Sequence, residues 1–431
     1  MYALYCVPLV VILTIYLARQ KRAHKHSSRA HQESVSAGLT EPASLHPIID
    51  ASRCLGCGAC VKACPEQPHH HVLGLIGGKA ALVGPTDCIG HGACKTACPF
   101  DAITLVLGTE RRGIDIPVLK PNFESNVPGM YVAGELGGMG LIKNALTQGR
   151  QAMEAIASAG IRRRGLLDVL IVGAGPAGLA ASLAAKQLGL TYQTLEQDSL
   201  GGAVFQYPRG KLVMTAPVEL PIVGKVHFRN TSKEELLGFW TRTCDNNGLQ
   251  IRYKERVESI ERKDGAFHVR TSLQTYAASA VLLAIGRRGT PRKLGVRGEE
   301  LPKVVYRLID PEQYRGQSVV VVGGGDSALE AAASIAELGD TSVTLSYRGE
   351  AFQRAKQRNR QRVEAASAGA GLKVLLNSQV EEIRPNEVIL KLPGQKLAVD
   401  NDAIIVSAGG VLPNDFLRSI GIEVETKYGT A

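Results

Sequence analysis

Cysteine is almost absent from this 431-residue chain outside one short stretch. Of nine cysteines, seven lie between Cys54 and Cys98, and only Cys6 and Cys244 stand apart. That clustering excludes a secreted disulfide framework and reads instead as thiolate metal ligands in a reducing compartment. Aromatic residues are also sparse, at 5% with a single tryptophan. No basic patch is interleaved with aromatics of the kind that stacks bases, so nucleic acid is not an expected partner. The N-terminus has no positive segment ahead of its apolar run and no small-residue cleavage site after it, which argues against a cleaved signal peptide.

The residues that are present point to several domains. The length exceeds one ordinary core, and 45% hydrophobic with 21% charged residues are globular values. A net charge of +10 suits phosphate-bearing cofactors or acidic partners without choosing among them. The uncharged run Tyr2–Ala18, followed at once by "RQKRAHKH", is expected to be a transmembrane anchor. Its basic flank places residues beyond it in the cytoplasm, giving a single-pass membrane protein. Polar residues 19–46 read as a basic flexible tether.

Residues 47–107 carry "CLGCGACVKACP" (Cys54–Pro65) and "CIGHGACKTACP" (Cys88–Pro99). C-x2-C-x2-C-x3-C-P is the ligand run of bacterial two-cluster ferredoxins, an α+β domain this segment resembles. Three closely spaced thiolates reach corners of one iron–sulfur cube, and the fourth, before proline, points to the other. The resulting sets are Cys54, Cys57, Cys60 and Cys98 for the first cluster, and Cys88, Cys94 and Cys64 for the second. His91 stands there in place of a fourth cysteine. Three outcomes are open: imidazole ligation of iron, a three-iron cluster, or a lost second cluster with structural cysteines. His69, His70 and His71 read as solvated loop residues.

The remainder is α/β. "DVLIVGAGPAGLAASLAAKQLGLTYQTLEQ" (Asp168–Gln197) reads strand, glycine turn, helix, strand, acid. Gly173 permits the tight turn, Gly175 the approach of a pyrophosphate, Gly178 the packing of helix on strand, and Glu196 closes on a ribose. "QSVVVVGGGDSALEAAASIAELGDTSVTLSYRG" (Gln317–Gly349) repeats the unit with Gly323, Gly325 and Ala328, but its second strand ends in Tyr347 and Arg348. Arg348, and Arg354 in the basic run after it, favour a 2′-phosphate and hence NADP over NAD.

Two such units, one nested in the other, resemble the thioredoxin-reductase-like flavoproteins, a class that includes a type of ferredoxin–NADP reductase. The resemblance covers residues 108–431. "GGAVFQYP", with Gly201 and Gly202, is similar to that family's flavin-side loop. "LLAIGRRGTPRKL" and "IIVSAGGVLPNDF" are similar to its two crossings between domains. "VPGMYVAGELGGMGLIKNALTQGRQA" resembles its closing FAD motif, which implies Gly134 and Glu135 at the FAD and a helix beginning near Leu141 aimed at the flavin. The family usually has aspartate where Glu135 stands. It also has this motif at its C-terminal end, whereas here the motif precedes the first glycine turn. A circular permutation is the expected explanation: 108–160 would close an FAD domain of 166–284 and 406–431, around an NAD(P) domain of 285–405. No redox dithiol is present, and lone Cys244 reads as core packing.

The expected architecture is thus two nested Rossmann-like domains, a two-cluster ferredoxin domain and an N-terminal anchor. The expected function is an oxidoreductase passing electrons between NAD(P)H, FAD and two iron–sulfur clusters, to or from a redox partner protein or membrane acceptor. A flavin disulfide reductase with an accessory ferredoxin domain and a redox sensor are the alternatives. The resembled family's habit adds a homodimer as an expectation. Hydride transfer needs ring positioning rather than an acid or base, so no catalytic side chain is named. His91→Cys is expected to change the EPR spectrum and potential of one cluster. Spectra identical to wild type would show that His91 neither ligates iron nor causes a missing one.

Overall fold

The computed structural model describes residues 2–36, 40, 42, 45–67, 71–110, 113–138, 140–213, 217–227, 231–287, 289–353, 355–369 and 371–429. The N-terminal expectation does not hold. Among the described residues no helix is long and apolar enough to cross a membrane. The apolar run continues unbroken through the basic segment as one helix, α1 (Tyr2–Ser36, 35 residues), whose second half is rich in His, Lys, Arg and Ser. The single-pass membrane placement fails with it, as does the orientation taken from the basic flank. Residues 19–36 are helical rather than a loose tether, because they dock on the cysteine module. His24 Nδ1 accepts the Gly77 N–H at 3.1 Å, and the Ser34 hydroxyl donates to the Val83 carbonyl at 2.9 Å. His71, expected in solvent, is half-buried and lies 3.2 Å from Nδ1 of His26. His69 and His70 lie outside the described residues.

The cysteine module closes on itself. Strand His46–Ile49 pairs antiparallel with Ile103–Val106, so its two ends meet. Between them sit the hairpin Leu73–Ile76/Lys79–Leu82 and two short helices, Ala59–Ala63 and Ala93–Thr96. The two motifs share one backbone path. Gly56 and Gly58 have φ of 68° and 73°, and their counterparts Gly90 and Gly92 have 78° and 76°. Side chains avoid that left-handed region, so glycine on either side fixes Cys57 and His91 in equivalent places.

The main sheet centres on Thr275–Leu283. One side pairs parallel with Leu167–Val172, which leads on to Tyr192–Leu195 and Ile251–Arg252. The other side pairs antiparallel with Ala266–Thr271 and, at its end, parallel with Met130–Val132. Val169, Leu170 and Ile171 are fully buried, the continuous apolar run of a strand covered on both faces. Helix α2 (Ile142–Ser158) buries Ala145, Leu146, Gly149, Ala152, Met153 and Ile156, a stripe at helical spacing, and packs on α3 (Pro176–Gln187). Pro176 opens α3 at the position where its missing N–H costs nothing.

A second, all-parallel sheet runs Val304–Val305, Ala403–Val406, Ser318–Val322, Ser342–Ser346, Leu372–Leu375. Helices α4 (Asp326–Ala336) and α5 (Gln357–Ala368) cover it. The far end of the chain returns to the beginning of the flavoprotein part: Val424–Lys427 pairs antiparallel with Ile114–Pro117. Asp115 reinforces this seam by accepting from Thr426 at 2.7 Å and from Asn414 at 2.7 Å.

A Cβ on Gly149 would collide with the Ala177 carbonyl of α3. Gly149→Ala is expected to cost about 1–3 kcal/mol by overpacking this helix contact, read as a lower denaturant midpoint by circular dichroism. An unchanged midpoint would mean that residues 142–158 do not pack there.

Candidate functional site

Both glycine turns open on one cleft of 2750 Å³ between the two sheets. The first turn follows Leu167–Val172. Gly173 has φ of 106°, and a Cβ there would come within 2.5 Å of the Ala284 carbonyl. Gly175 faces Gly202 across a narrow gap: a Cβ on Gly202 would lie 3.0 Å from the Gly175 Cα. Gly178 packs against Gly173, where a Cβ would strike its carbonyl. These absent side chains leave a backbone-walled groove at the N-terminus of α3, where free N–H groups and the helix dipole favour an anion. The groove fits the pyrophosphate of a dinucleotide.

Glu196, 7% exposed, lies at the end of Tyr192–Leu195. Its carboxylate accepts the N–H groups of Ala174 at 2.8 Å and Asp198 at 2.9 Å, pinning the glycine turn to the next strand. Burial nevertheless holds its pKa above the usual carboxylate range, the two backbone bonds offsetting only part of the shift. Gly134 and Glu135 follow Met130–Val132 and reach the same cleft, Glu135 exposed to it. The Gly134 N–H donates to Gln148 Oε1 at 2.8 Å, tying that turn to α2. Leu141, the residue before α2, carries φ of 80°, strained for a non-glycine, and lines the cleft with Ile142.

The second turn mirrors the first. Gly323 has φ of 145°, and a Cβ there would come within 2.4 Å of the Ser407 carbonyl, while Gly325 caps α4. Tyr347 lies over Gly324 and stacks on Phe352 at 5.5 Å. Arg348 lines the cleft, joined by Arg358 and Arg362 of α5. Arg354 lies outside the described residues.

In the cysteine module, Cys54, Cys60 and Cys94 are buried, Cys64, Cys88 and Cys98 half-buried, and Cys57 exposed. The charges of Cys54, Cys94 and Cys57 all bear on Cys60, and those of Cys94 and Cys64 on Cys88, so the thiols face one another in two overlapping groups. Burial, first, pushes the thiols of Cys60 and Cys88 up to about 11. Burial raises the core thiol of Cys244 equally, so what sets these cysteines apart is their grouping and spacing, which fits a cluster-binding donor set. Backbone N–H groups of Ala80 and Ala102 point at Cys54 Sγ and Cys98 Sγ, each at 3.4 Å. Among the described residues no three His, Cys, Asp or Glu side chains converge on a single metal ion. His91 is half-buried with Nε2 3.7 Å from Glu66, and Lys356 of the second sheet domain also acts on it. Cys244 is buried in a helix, away from these residues, as core packing requires.

The family profile described as pyridine nucleotide-disulphide oxidoreductase matches residues 170–430, and that for a 4Fe-4S dicluster domain matches residues 46–99. The chain belongs to the pyridine nucleotide-disulphide oxidoreductase family. It is an FAD-dependent NAD(P)H oxidoreductase with a 4Fe–4S domain. It is 30% identical over 268 residues to a ferredoxin–NADP reductase of Ignicoccus hospitalis, covering 60% of this chain and 83% of the relative. It is 27% identical to the bacilliredoxin reductase Bdr of Bacillus subtilis, over 60% of this chain and 82% of that one. The solved bacillithiol disulfide reductase Bdr of Bacillus cereus superposes with a TM-score of 0.55 at 25% identity, over 60% of this oxidoreductase and 82% of its own chain.

Sequence reasoning about this oxidoreductase missed three contributions to the cleft. Arg287 lines it and donates to the Asp115 carbonyl at 3.0 Å; burial lowers its pKa, with Glu135 and then Asp115 countering. Two arginines follow that buried strand, and spacing alone does not distinguish them. Gln148, which contributes by holding the wall residue Gly134 rather than by lining the cleft, was hidden in an amphipathic helix. Glu66, Asp87 and Ile89, from the iron–sulfur domain, also form part of the wall, a long-range contact with no local signal.

Glu196 yields a test with a defined sign. Its folded-state pKa is raised, so the native state holds the proton more tightly and stability is lost as pH rises through that value. Glu196→Ala should abolish this slope. It should also lower stability at neutral pH by about 1–3 kcal/mol by stranding the buried Ala174 N–H and the half-buried Asp198 N–H. Denaturant melts across pH check both, and a slope as steep as wild type would remove Glu196 as its source.

Proposed function

We propose that this oxidoreductase passes electrons between NADPH, FAD and its iron–sulfur domain, to or from a redox partner protein. The observation that carries this reading is the shared wall: residues of the iron–sulfur domain line the same cleft as both glycine turns. FAD, when bound, takes two electrons as a hydride from a nicotinamide and gives them up singly, which is what iron–sulfur clusters can carry. Gly173, Gly175, Gly178, Gly201 and Gly202 would cradle the FAD pyrophosphate. Glu196 would meet the ribose, and Gly134 and Glu135 would complete the site with α2. Gly323, Gly325, Ala328 and Arg348 would hold NADP, the arginine meeting its 2′-phosphate. Cys54, Cys57, Cys60 and Cys98 would hold one cluster, and Cys88, Cys94 and Cys64 a second, with His91 at the fourth corner.

The seams at 114–117 with 424–427, and at 130–132 with 281–283, support a permuted FAD domain whose closing segment has moved ahead of its opening one. One similar protein is named a bacilliredoxin reductase and another a bacillithiol disulfide reductase. In this chain the flavin-side loop holds no cysteine and Cys244 is buried, which disfavours a dithiol route.

Anaerobic titration with NADPH, followed by absorbance and EPR, decides the matter. Flavin bleaching followed by reduced-cluster signals is expected. Bleaching with clusters that stay oxidised, together with turnover of a low-mass disulfide, would replace this reading with a disulfide reductase.

A further inference from the structure

Helix α5 begins badly by its own sequence. Lys356 stands at the N-cap and gives no side-chain bond, the first turn has no acid, and Arg358 and Arg360 come next. Cations there oppose the helix dipole, and the first N–H groups need acceptors from elsewhere. Two carboxylates supply them. Asp326, from α4 of the same domain, accepts the Lys356 N–H at 2.8 Å and the Asn359 side chain at 2.7 Å. Asp87, from the iron–sulfur domain, accepts the Gln357 N–H at 3.1 Å. Asp87 is only 6% exposed, and both it and Asp326 act on the half-buried Arg360. The residues thus anchored are the ones that matter for a phosphate: Lys356 and Arg358 line the cleft beside Arg348, while Arg362, also at the wall, is held by both oxygens of Glu337.

We propose that Asp87 is a positioning residue for NADP: the iron–sulfur domain caps α5 across the domain boundary and so holds its basic row toward the 2′-phosphate. The inference rests on the reading above that Arg348 and its neighbours face NADP. It makes seating of the iron–sulfur domain and NADP affinity two sides of one linkage, since whatever tightens one tightens the other. NAD, lacking the 2′-phosphate, lies outside that linkage.

Gln357→Pro is the sharp variant. It deletes the donor together with an exposed amide side chain, proline is welcome at the first helical position, and Lys356 already has φ of −61° and ψ of 147°, the conformation that precedes proline. It leaves the cysteine motifs untouched. The holoprotein is titrated with NADP+ and separately with NAD+, following the flavin absorbance. Gln357→Pro should weaken NADP+ about three- to tenfold, the size of a lost helix cap, and leave NAD+ unchanged. It should raise KM for NADPH with kcat kept. Asp87→Asn, which keeps an acceptor oxygen, should stay near wild type, and Asp87→Ala should match Gln357→Pro, standing in for it if that variant does not fold. Wild-type affinity for NADP+ in Gln357→Pro, or an equal loss for both nucleotides, overturns the inference. A wild-type protein that binds neither nucleotide overturns the functional reading itself, and this inference with it.

Discussion

The strand Thr275–Leu283 is the constraint on which the flavoprotein part depends. Its two edges accept two separate segments: Leu167–Val172 on one side, Met130–Val132 on the other. Fixing those registers fixes the position of the residues after each strand. After Val172 comes the glycine turn with Gly173 and Gly175, and after Val132 come Gly134 and Glu135. Both turns therefore arrive at the same end of the sheet, where parallel strands deliver their loops and ligands collect. A shift of one residue in either pairing would turn buried side chains outward and move a wall of the cleft.

Close backbone contact then sets the shape of the cleft. Gly178 against Gly173 and Gly149 against Ala177 are contacts that no Cβ could share, and Gly202 against Gly175 leaves a Cβ only a tight fit. They bring α2, α3 and the flavin-side loop near enough to leave a groove walled by peptide groups. Carboxylates do the remaining fastening. Glu196 ties turn to strand, Asp115 ties the strand Ile114–Pro117 to Val424–Lys427, and Asp326 with Asp87 tie down α5.

How much of this was legible in the sequence depends on the range of each signal. The glycine turns and the two cysteine motifs are local, written within a few residues. The segment 127–152 was legible through its motif, whereas its pairing with residues 281–283 and that of 114–117 with 424–427 had no local signal. The membrane anchor was misread because hydropathy over Tyr2–Ala18 carries no information about the residues beyond Ala18, and the helix runs on to Ser36. Its polar half finds partners in Gly77, Val83 and His71, none of them near in sequence. Arg287 and Asp87 were invisible for the same reason. A charged residue announces its chemistry in the sequence but not its address.

The order of the paired strands along the chain also imposes a schedule on synthesis. Residues 46–106 can close as soon as they emerge, because His46–Ile49 pairs with Ile103–Val106. Met130–Val132, all buried in the finished protein, emerges long before the strand it must join at 281–283. At ~5–20 residues per second, the ribosome leaves that apolar segment without its partner for roughly 8–30 s. Ile114–Pro117 waits longer still, for the last strand of the chain. The iron–sulfur domain is thus complete while the flavoprotein beside it is still an open half-sheet, and cluster insertion can precede flavin capture on every newly made chain.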